Sequence, residues 1–387
     1  MTASEAPLAF DYYRSGSSYG PEPGQAYSNP FGNVTVVDNV FEEMLPYVNH
    51  HWYSFPPMNP LWYGLVSFFV GFCTIFALVG NISVIYIFSC TKSLRSPSNY
   101  FVVNLAISDF LLMAIMGPPV LYNSYYRTWA LGALFCQIYG VIGSLMGCTS
   151  IFTMCLITGD RYNVIVKGIA GKPLTPTSAM IRILLVWLVS GAWTIAPLLG
   201  WGRYTPEGNM TACGTDYLMR DWNTMSYVLA YGTWVYFVPL VYIVYSYWYI
   251  VAAVTAHEKQ MKEQAKKMGV KSLRNDKDAQ KKSAECKLAK VALVTVSLWF
   301  MAWTPYLIIN FAGIYKRGVV TPLFSIWGSV FAKANTVYNP IVYAISHPKY
   351  KAALEKKFPC LSCQPEKDDD ESKSTASVMT TNEEAKD

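Results

Sequence analysis

Ser329-Val330-Phe331-Ala332-Lys333-Ala334-Asn335-Thr336-Val337-Tyr338-Asn339-Pro340 sets one lysine in the middle of a run, about 321–346, that otherwise reads as a membrane span. At ~1.5 Å per residue, Lys333 lies roughly 18 Å from the nearer end of that run. A hydrocarbon core is only ~30 Å thick, and a lysine stem is too short to reach water from its middle. A charged lysine at that depth costs at least ~2.5–3.5 kcal/mol. It must therefore be neutralised, paired or chemically consumed.

The rest of the chain supplies the membrane setting. Of 387 residues, 52% are hydrophobic and only 14% charged, well below the ~25% of a typical soluble protein. Twelve Trp and 28 Tyr suit aromatic belts at the two interfaces. Seven apolar runs occur, at about 62–90, 99–125, 134–165, 178–200, 223–255, 286–313 and 321–346. The fold class they predict is an all-α membrane protein, a seven-helix transmembrane bundle over 61–346. Seven runs with basic clusters are not the pattern of a soluble nucleic-acid binder. No cleavable leader is visible in the first 60 residues. An odd span count puts the two tails on opposite sides. Basic residues gather between spans five and six and after span seven, while residues 1–60 hold Arg14 against six acidic groups. The positive-inside tendency then places the N-terminus outside.

Residues 1–60 read as an extracellular tail, partly ordered at best. Asn33-Val34-Thr35 and Asn209-Met210-Thr211 are candidate glycosylation sequons on the outer side. Cys136 and Cys213 both fall on that oxidising side, so a disulfide between them is permitted. Segment 256–290 predicts helical continuations of spans five and six, with a turn near 269–275. It is either a solvated face or a partner-binding surface. Residues 347–360 predict a short amphipathic helix on the anionic inner leaflet, with Tyr350, Ala353, Leu354 and Phe358 on its apolar side. Cys360 and Cys363 follow it as candidate palmitoylation sites or plain thiols. Residues 361–387 read as a disordered tail with serines and threonines suited to phosphorylation. No metal-ligating cluster is expected.

Asp109, Asp160-Arg161-Tyr162, Trp303 two residues before Pro305, and Asn339-Pro340-Ile341-Val342-Tyr343 follow one another in the spans. With Asn81 and the Cys136–Cys213 pair, they resemble the rhodopsin-like class of G-protein-coupled receptors over about residues 60–360. Lys333, seven residues before Pro340, resembles the retinal-binding lysine of opsins. His347-Pro348-Lys349 and the basic 256–290 segment resemble invertebrate visual opsins coupled to Gq and phospholipase C. The overall look is that of arthropod, and within them spider, visual opsins.

The resemblance implies a set of roles. Lys333 would hold retinal, 11-cis in the dark, as a protonated Schiff base. Such a cation needs an anion in a low-dielectric pocket. Tyr139 stands where vertebrate visual opsins carry a glutamate, and it is uncharged at neutral pH. Asp109 belongs by family with Asn81 and Asn339 in a polar core network. Glu207, six residues before Cys213, resembles the distal counterion of invertebrate opsins. Tyr139, Gly143 and Gly147 share a helix face. The two glycines leave room for a flat polyene or serve helix packing. Trp303 and Tyr306 would line the opposite side. Asp160, Arg161, Tyr162, Asn339, Pro340, Tyr343, His347, Pro348 and Lys349 would form the activation switch. Prolines 239, 305 and 340 offer bends in spans five, six and seven.

The function expected is a light-sensing, bistable receptor in the plasma membrane of photoreceptor cells (rhabdomeric microvilli), not an enzyme. Its partners would be a heterotrimeric Gq-class protein, arrestin, a receptor kinase and the bilayer. The alternatives are a receptor for a diffusible acidic ligand, a retinal photoisomerase and an ion-translocating retinal protein. The last lacks a chain of carboxylates in the spans.

Overall fold

The structure is a computed structural model and describes residues 34–267 and 277–358. Seven helical spans form the bundle. Span one is Pro60–Cys90, span two Pro97–Tyr126, span three Gly132–Tyr162 and span four Pro176–Ile195. Span five runs as Trp222–Gly232, a π turn Thr233–Phe237, and Val238–Lys267. Span six is Lys277–Tyr315 and span seven Pro322–Ser346. The expected 269–275 turn, Asn33, Cys360, Cys363 and the 361–387 tail lie outside the described residues.

The helix starts are written locally. Asn59, Thr175 and Thr321 each precede a proline and accept a backbone N–H of the first turn through their side chains. Proline at N1 forgoes a hydrogen bond that the first turn could not make, and the capping oxygen satisfies another free donor. Asp221 caps span five in the same way, bonding Thr224 N at 2.9 Å. Among the described residues, six helices are long and apolar enough to cross a membrane by length and composition. Span seven is the more polar one. Its buried face carries Ser325, Ser329, Lys333, Asn335, Thr336 and Asn339. Pro239 enters just after the π turn, where its missing N–H leaves the ladder free to widen.

Span three is the axis, packing on spans two, four, five and six; span seven closes against one, two and six. The short helix Pro348–Lys357 follows span seven. Tyr350 stacks on Phe88 of span one at 5.5 Å between ring centres, while Lys349, Lys351, Lys356 and Lys357 are exposed.

The opposite end of the bundle carries more order than the sequence suggested. The segment from 201 to 221, polar in sequence and lying between two apolar runs, holds an antiparallel hairpin, β1 (Tyr204–Glu207) and β2 (Ala212–Thr215), in register Tyr204↔Thr215 to Glu207↔Ala212. Every strand residue is buried, because the hairpin sinks into the mouth of the bundle. Its turn uses Gly208 at φ +51°; a Cβ there would meet the Pro322 carbonyl at 2.8 Å. Cys213 of β2 is disulfide-bonded to Cys136 of span three. Residues 34–58, expected to be partly ordered at best, form a cap with short helices Glu42–Tyr47 and His50–Ser54. Val36, Val37, Val40, Met44, Val48 and Trp52 are its buried apolar side chains. Asn49 bonds Asp216 at 3.1 Å and His51 bonds the Val320 carbonyl at 2.7 Å, so the cap is fastened to both the hairpin and span seven's lead-in.

Asn209 sits at the hairpin turn with no exposure, its side-chain oxygen held by Thr211. A glycan there has no room. The structure corrects that expectation: the Asn-Met-Thr triplet is a turn motif, not a glycan site.

Candidate functional site

The site is a cavity between spans three, five, six and seven under the hairpin. Lys333 is buried, and its Nζ donates to Ser329 Oγ at 2.6 Å, one helical turn earlier on the same face. The Tyr139 ring from span three lies 5.9 Å from Nζ. Tyr139 is fully buried and its hydroxyl points to the Met116 carbonyl at 3.5 Å, behind the cavity lining. Glu207 comes from the hairpin. It is buried and accepts a 2.8 Å hydrogen bond from Tyr306. Its carboxylate lies over Gly214, where a Cβ would come within 2.5 Å of it. Glu207 and Lys333 line the same cavity but make no ion pair.

Burial pushes the Glu207 carboxyl up, to about 7, against the opposing pull of the Tyr306 hydrogen bond and the Lys333 charge. A fixed positive charge in the cavity would favour its ionised form.

Of the predicted lining, Gly143, Gly147, Trp303 and Tyr306 all face the cavity, together with Leu112, Met116, Val235, Leu307 and Phe311. The glycines serve close packing. A Cβ on Gly143 would meet Met116 at 2.5 Å, and one on Gly147 would meet Trp303 at 2.7 Å. They let those two side chains lie close against span three, and so shape the cavity wall. Trp303 stacks on Trp299, ring centres 5.3 Å apart. A long, mostly apolar space ending at a buried amine fits a polyene aldehyde. Lys333 would hold its carbonyl carbon and Glu207 would face the resulting cation.

The polar core lies deeper. Asp109 accepts from Asn339 at 2.8 Å and from Ser150 at 2.8 Å. Asn81 does not join them directly. It bonds the carbonyls of Ala77 and Thr336, tying span one to span seven. Pro340 abuts Gly80 of span one, where a Cβ would come within 2.9 Å.

At the far end Arg161 is buried and paired with Asp160 and also with Glu285 of span six. Tyr343 and His347 share a small cavity with Asp160 and Arg161. Tyr162 turns away and meets Tyr249 edge-on at 6.2 Å. His347 Nδ1 accepts the Tyr350 N–H at 3.1 Å; with Pro348 at N1 it caps the short helix, and Lys349 is exposed. The expected switch residues thus divide into the Asn339–Pro340 core, the Asp160–Arg161–Tyr343–His347 floor and the helix cap.

Sequence reading missed Ser329, Glu285 and Ser150. Ser329 was recoverable as the i−4 neighbour of Lys333. Glu285 was visible only as one acid in a lysine-rich run, and 124 residues separate it from Arg161.

Comparison with known proteins bears on these features together. Residues 80–343 match the family model described as 7 transmembrane receptor (rhodopsin family). The chain is 61% identical to a rhodopsin of Sphodromantis sp. over 353 residues, 91% of this chain and 94% of that one. It is 60% identical to a long-wavelength rhodopsin of Apis mellifera, covering 94% of each. It is 55% identical to a rhodopsin of Procambarus clarkii, covering 95% of this chain and 99% of the other. These relatives are arthropod without singling out spiders. The crystal structure of squid rhodopsin superposes with a TM-score of 0.76 at 37% identity, covering 86% of this chain and 95% of that chain. With a buried span-seven lysine, a span-three disulfide and a paired Asp-Arg-Tyr end, the chain belongs to the rhodopsin family of seven-transmembrane receptors, among the arthropod rhodopsins.

Proposed function

We propose that this chain is a light-sensing receptor that carries retinal on Lys333 and signals to a Gq-class heterotrimeric G protein and phospholipase C. The observation that carries the reading is the buried Lys333 amine at one end of an apolar cavity, with the Glu207 carboxylate beside it but not paired to it. When bound as a protonated Schiff base, retinal supplies the light-driven 11-cis to all-trans isomerisation. Every other part belongs to the chain. Glu207 provides the compensating negative charge, held in place by Tyr306. Ser329, which accepts a hydrogen bond from the free Lys333 amine, would accept one from the Schiff-base nitrogen. Tyr139 is neutral and turns its ring toward Lys333, its hydroxyl being held by Met116.

Trp303 and Tyr306 couple the cavity to span six. Displacement of that wall bends span six at Pro305 and loads the Arg161–Glu285 tie between spans three and six. Release of that tie opens the floor around Tyr343 and His347 to the G protein. Gq coupling is supported by His347-Pro348-Lys349, the basic 256–290 segment and the arthropod likeness. A neutral Tyr139 with a distal Glu207 favours a bistable pigment. The tail serines and threonines suit a receptor kinase and arrestin, Cys360 and Cys363 suit acylation, and Asn33 suits a glycan. The setting is the plasma membrane of photoreceptor cells, in rhabdomeric microvilli, with the N-terminus outside.

The test is direct. The full chain, incubated with 11-cis-retinal, forms a visible band, and borohydride under illumination fixes retinal to Lys333. A band that persists in Lys333→Ala defeats the covalent reading.

A further inference from the structure

The hairpin brings Glu207 against Gly214. Its register pairs Glu207 with Ala212, and Gly214 stands two residues further along β2, on the same face as Ala212. Gly214 is therefore the diagonal neighbour of Glu207, within reach of a long side chain. The Glu207 side chain takes that diagonal. A Cβ on Gly214 would lie 2.5 Å from the Glu207 carboxyl carbon and 2.6 and 2.7 Å from its two oxygens. These are the three atoms nearest to that point, so the whole carboxylate occupies the space where a side chain at 214 would begin.

The backbone does not call for glycine here. Gly214 lies in strand β2, with φ outside the left-handed region that favours glycine. Glycine within a strand weakens it and marks a site where another group approaches closely. At 214 that group is the carboxylate. Tyr306 holds one of its oxygens at 2.8 Å. Glu207, Gly214 and Lys333 all line the cavity, and Glu207 makes no ion pair with Lys333.

We propose that Gly214 is a positioning residue for the counterion: its missing side chain gives the Glu207 carboxylate a seat against β2, out of ion-pair contact with Lys333. The proposal rests on the retinal and counterion readings above. A methyl group at 214 fills the seat. Ordinary contact between carbon atoms needs about 3.5–4.0 Å, so the carboxylate must move by about 1 Å. Glu207 is buried, and the open space it borders is the cavity. The carboxylate therefore moves toward the nitrogen on Lys333. Closing a separation of roughly 5–6 Å by about 1 Å raises the alkaline midpoint of the visible band by roughly half a pH unit. The closer anion also stabilises ground-state charge at the nitrogen, so the band moves to shorter wavelength.

The experiment uses the full-length receptor regenerated with 11-cis-retinal. Alkaline titrations and absorption maxima are read for Gly214→Ala in the wild-type, Glu207→Gln and Glu207→Asp backgrounds. In the wild-type background the midpoint rises by roughly half a unit. With Glu207→Gln the displaced group carries no charge, so Gly214→Ala leaves the midpoint where it was, and the cycle assigns the effect to the pair. Glu207→Asp shortens the side chain by one methylene and draws the carboxylate off Gly214, so Gly214→Ala is silent there too. That background also decides the matter should Gly214→Ala alone fail to fold: recovery of pigment supports the seat, and continued failure overturns it. An unmoved or lowered midpoint in a folded Gly214→Ala pigment overturns the proposal, as does a rise that persists with Glu207→Gln. A midpoint shared by wild type and Glu207→Gln instead overturns the counterion reading, and a band retained in Lys333→Ala overturns the retinal reading.

Discussion

Glu207→Gln is the substitution that most directly interrogates the site. It keeps the side chain's size and its ability to accept the Tyr306 hydrogen bond, and it removes only the charge. Glu207 and Lys333 line one cavity without an ion-pair contact, so their charges stand more than 4.0 Å apart. At roughly 5–6 Å and an effective dielectric of about 20, two opposite charges attract by about 3 kcal/mol. Since about 1.4 kcal/mol corresponds to one pH unit, loss of Glu207 should move the alkaline midpoint of the visible band down by about two units. The assay is a spectroscopic titration in the dark of wild-type and variant pigment, each regenerated with 11-cis-retinal at matched salt. The band maximum should also move, because the cation loses its partner. A midpoint unchanged within about half a unit would mean that a group other than Glu207 balances the cation, and the counterion assignment would fall.

Other outcomes follow from the same geometry. Glu285→Gln removes one of the two acidic partners of Arg161, a coupling of about 1–3 kcal/mol. Dark nucleotide exchange on the G protein should rise about 5- to 100-fold, and a silent dark state in a folded pigment would refute the tie. Ser329→Ala deletes the oxygen that stabilises positive charge at the nitrogen end, so the band should move a few nanometres to longer wavelength; a move to shorter wavelength would contradict the placement of Ser329. Before retinal is added, Glu207 has its carboxyl pushed up by burial from 4.5 to about 7. The folded state then binds more protons than the unfolded one between these values, so stability should fall as pH rises from 4.5 to 7, by up to about 3 kcal/mol. Melting curves of the retinal-free protein measure this, and Glu207→Gln should flatten the dependence.

Much of the architecture was legible because it is written in local terms. The apolar runs located the seven spans to within about five residues, except that span five runs on to Lys267 and span six starts at Lys277, in the helical continuations expected there. The remaining discrepancies sit where Asn59-Pro60, Ser96-Pro97 and Thr175-Pro176 start helices a little earlier than hydropathy does. Lys333 announced itself as a charge at the wrong depth. The hairpin did not, because Tyr204 to Thr215 shows no clean alternation. All its residues are buried by the bundle mouth and the cap rather than on one face. The cap was hidden for the same reason, since Met44 and Trp52 find their partners far away in sequence. Glu285 and Asn209 illustrate the two failures of motif reading. The first is a partner that carries no motif, and the second is a motif whose surroundings forbid its use.

Span seven is the least oily of the seven helices, and this bears on how the protein is made. The other six can each enter a bilayer on length and composition alone. Pro322–Ser346 carries Lys333 together with Asn335 and Asn339, all buried inside the bundle. A nascent chain presenting this segment by itself would partition poorly into lipid. It enters as the companion of spans already in place, which offer its polar face Asp109 and the Asn81 amide. The polar residues buried on span seven are thus the ones that make it depend on its predecessors during synthesis. Quality control of such a chain turns on whether span seven has found them.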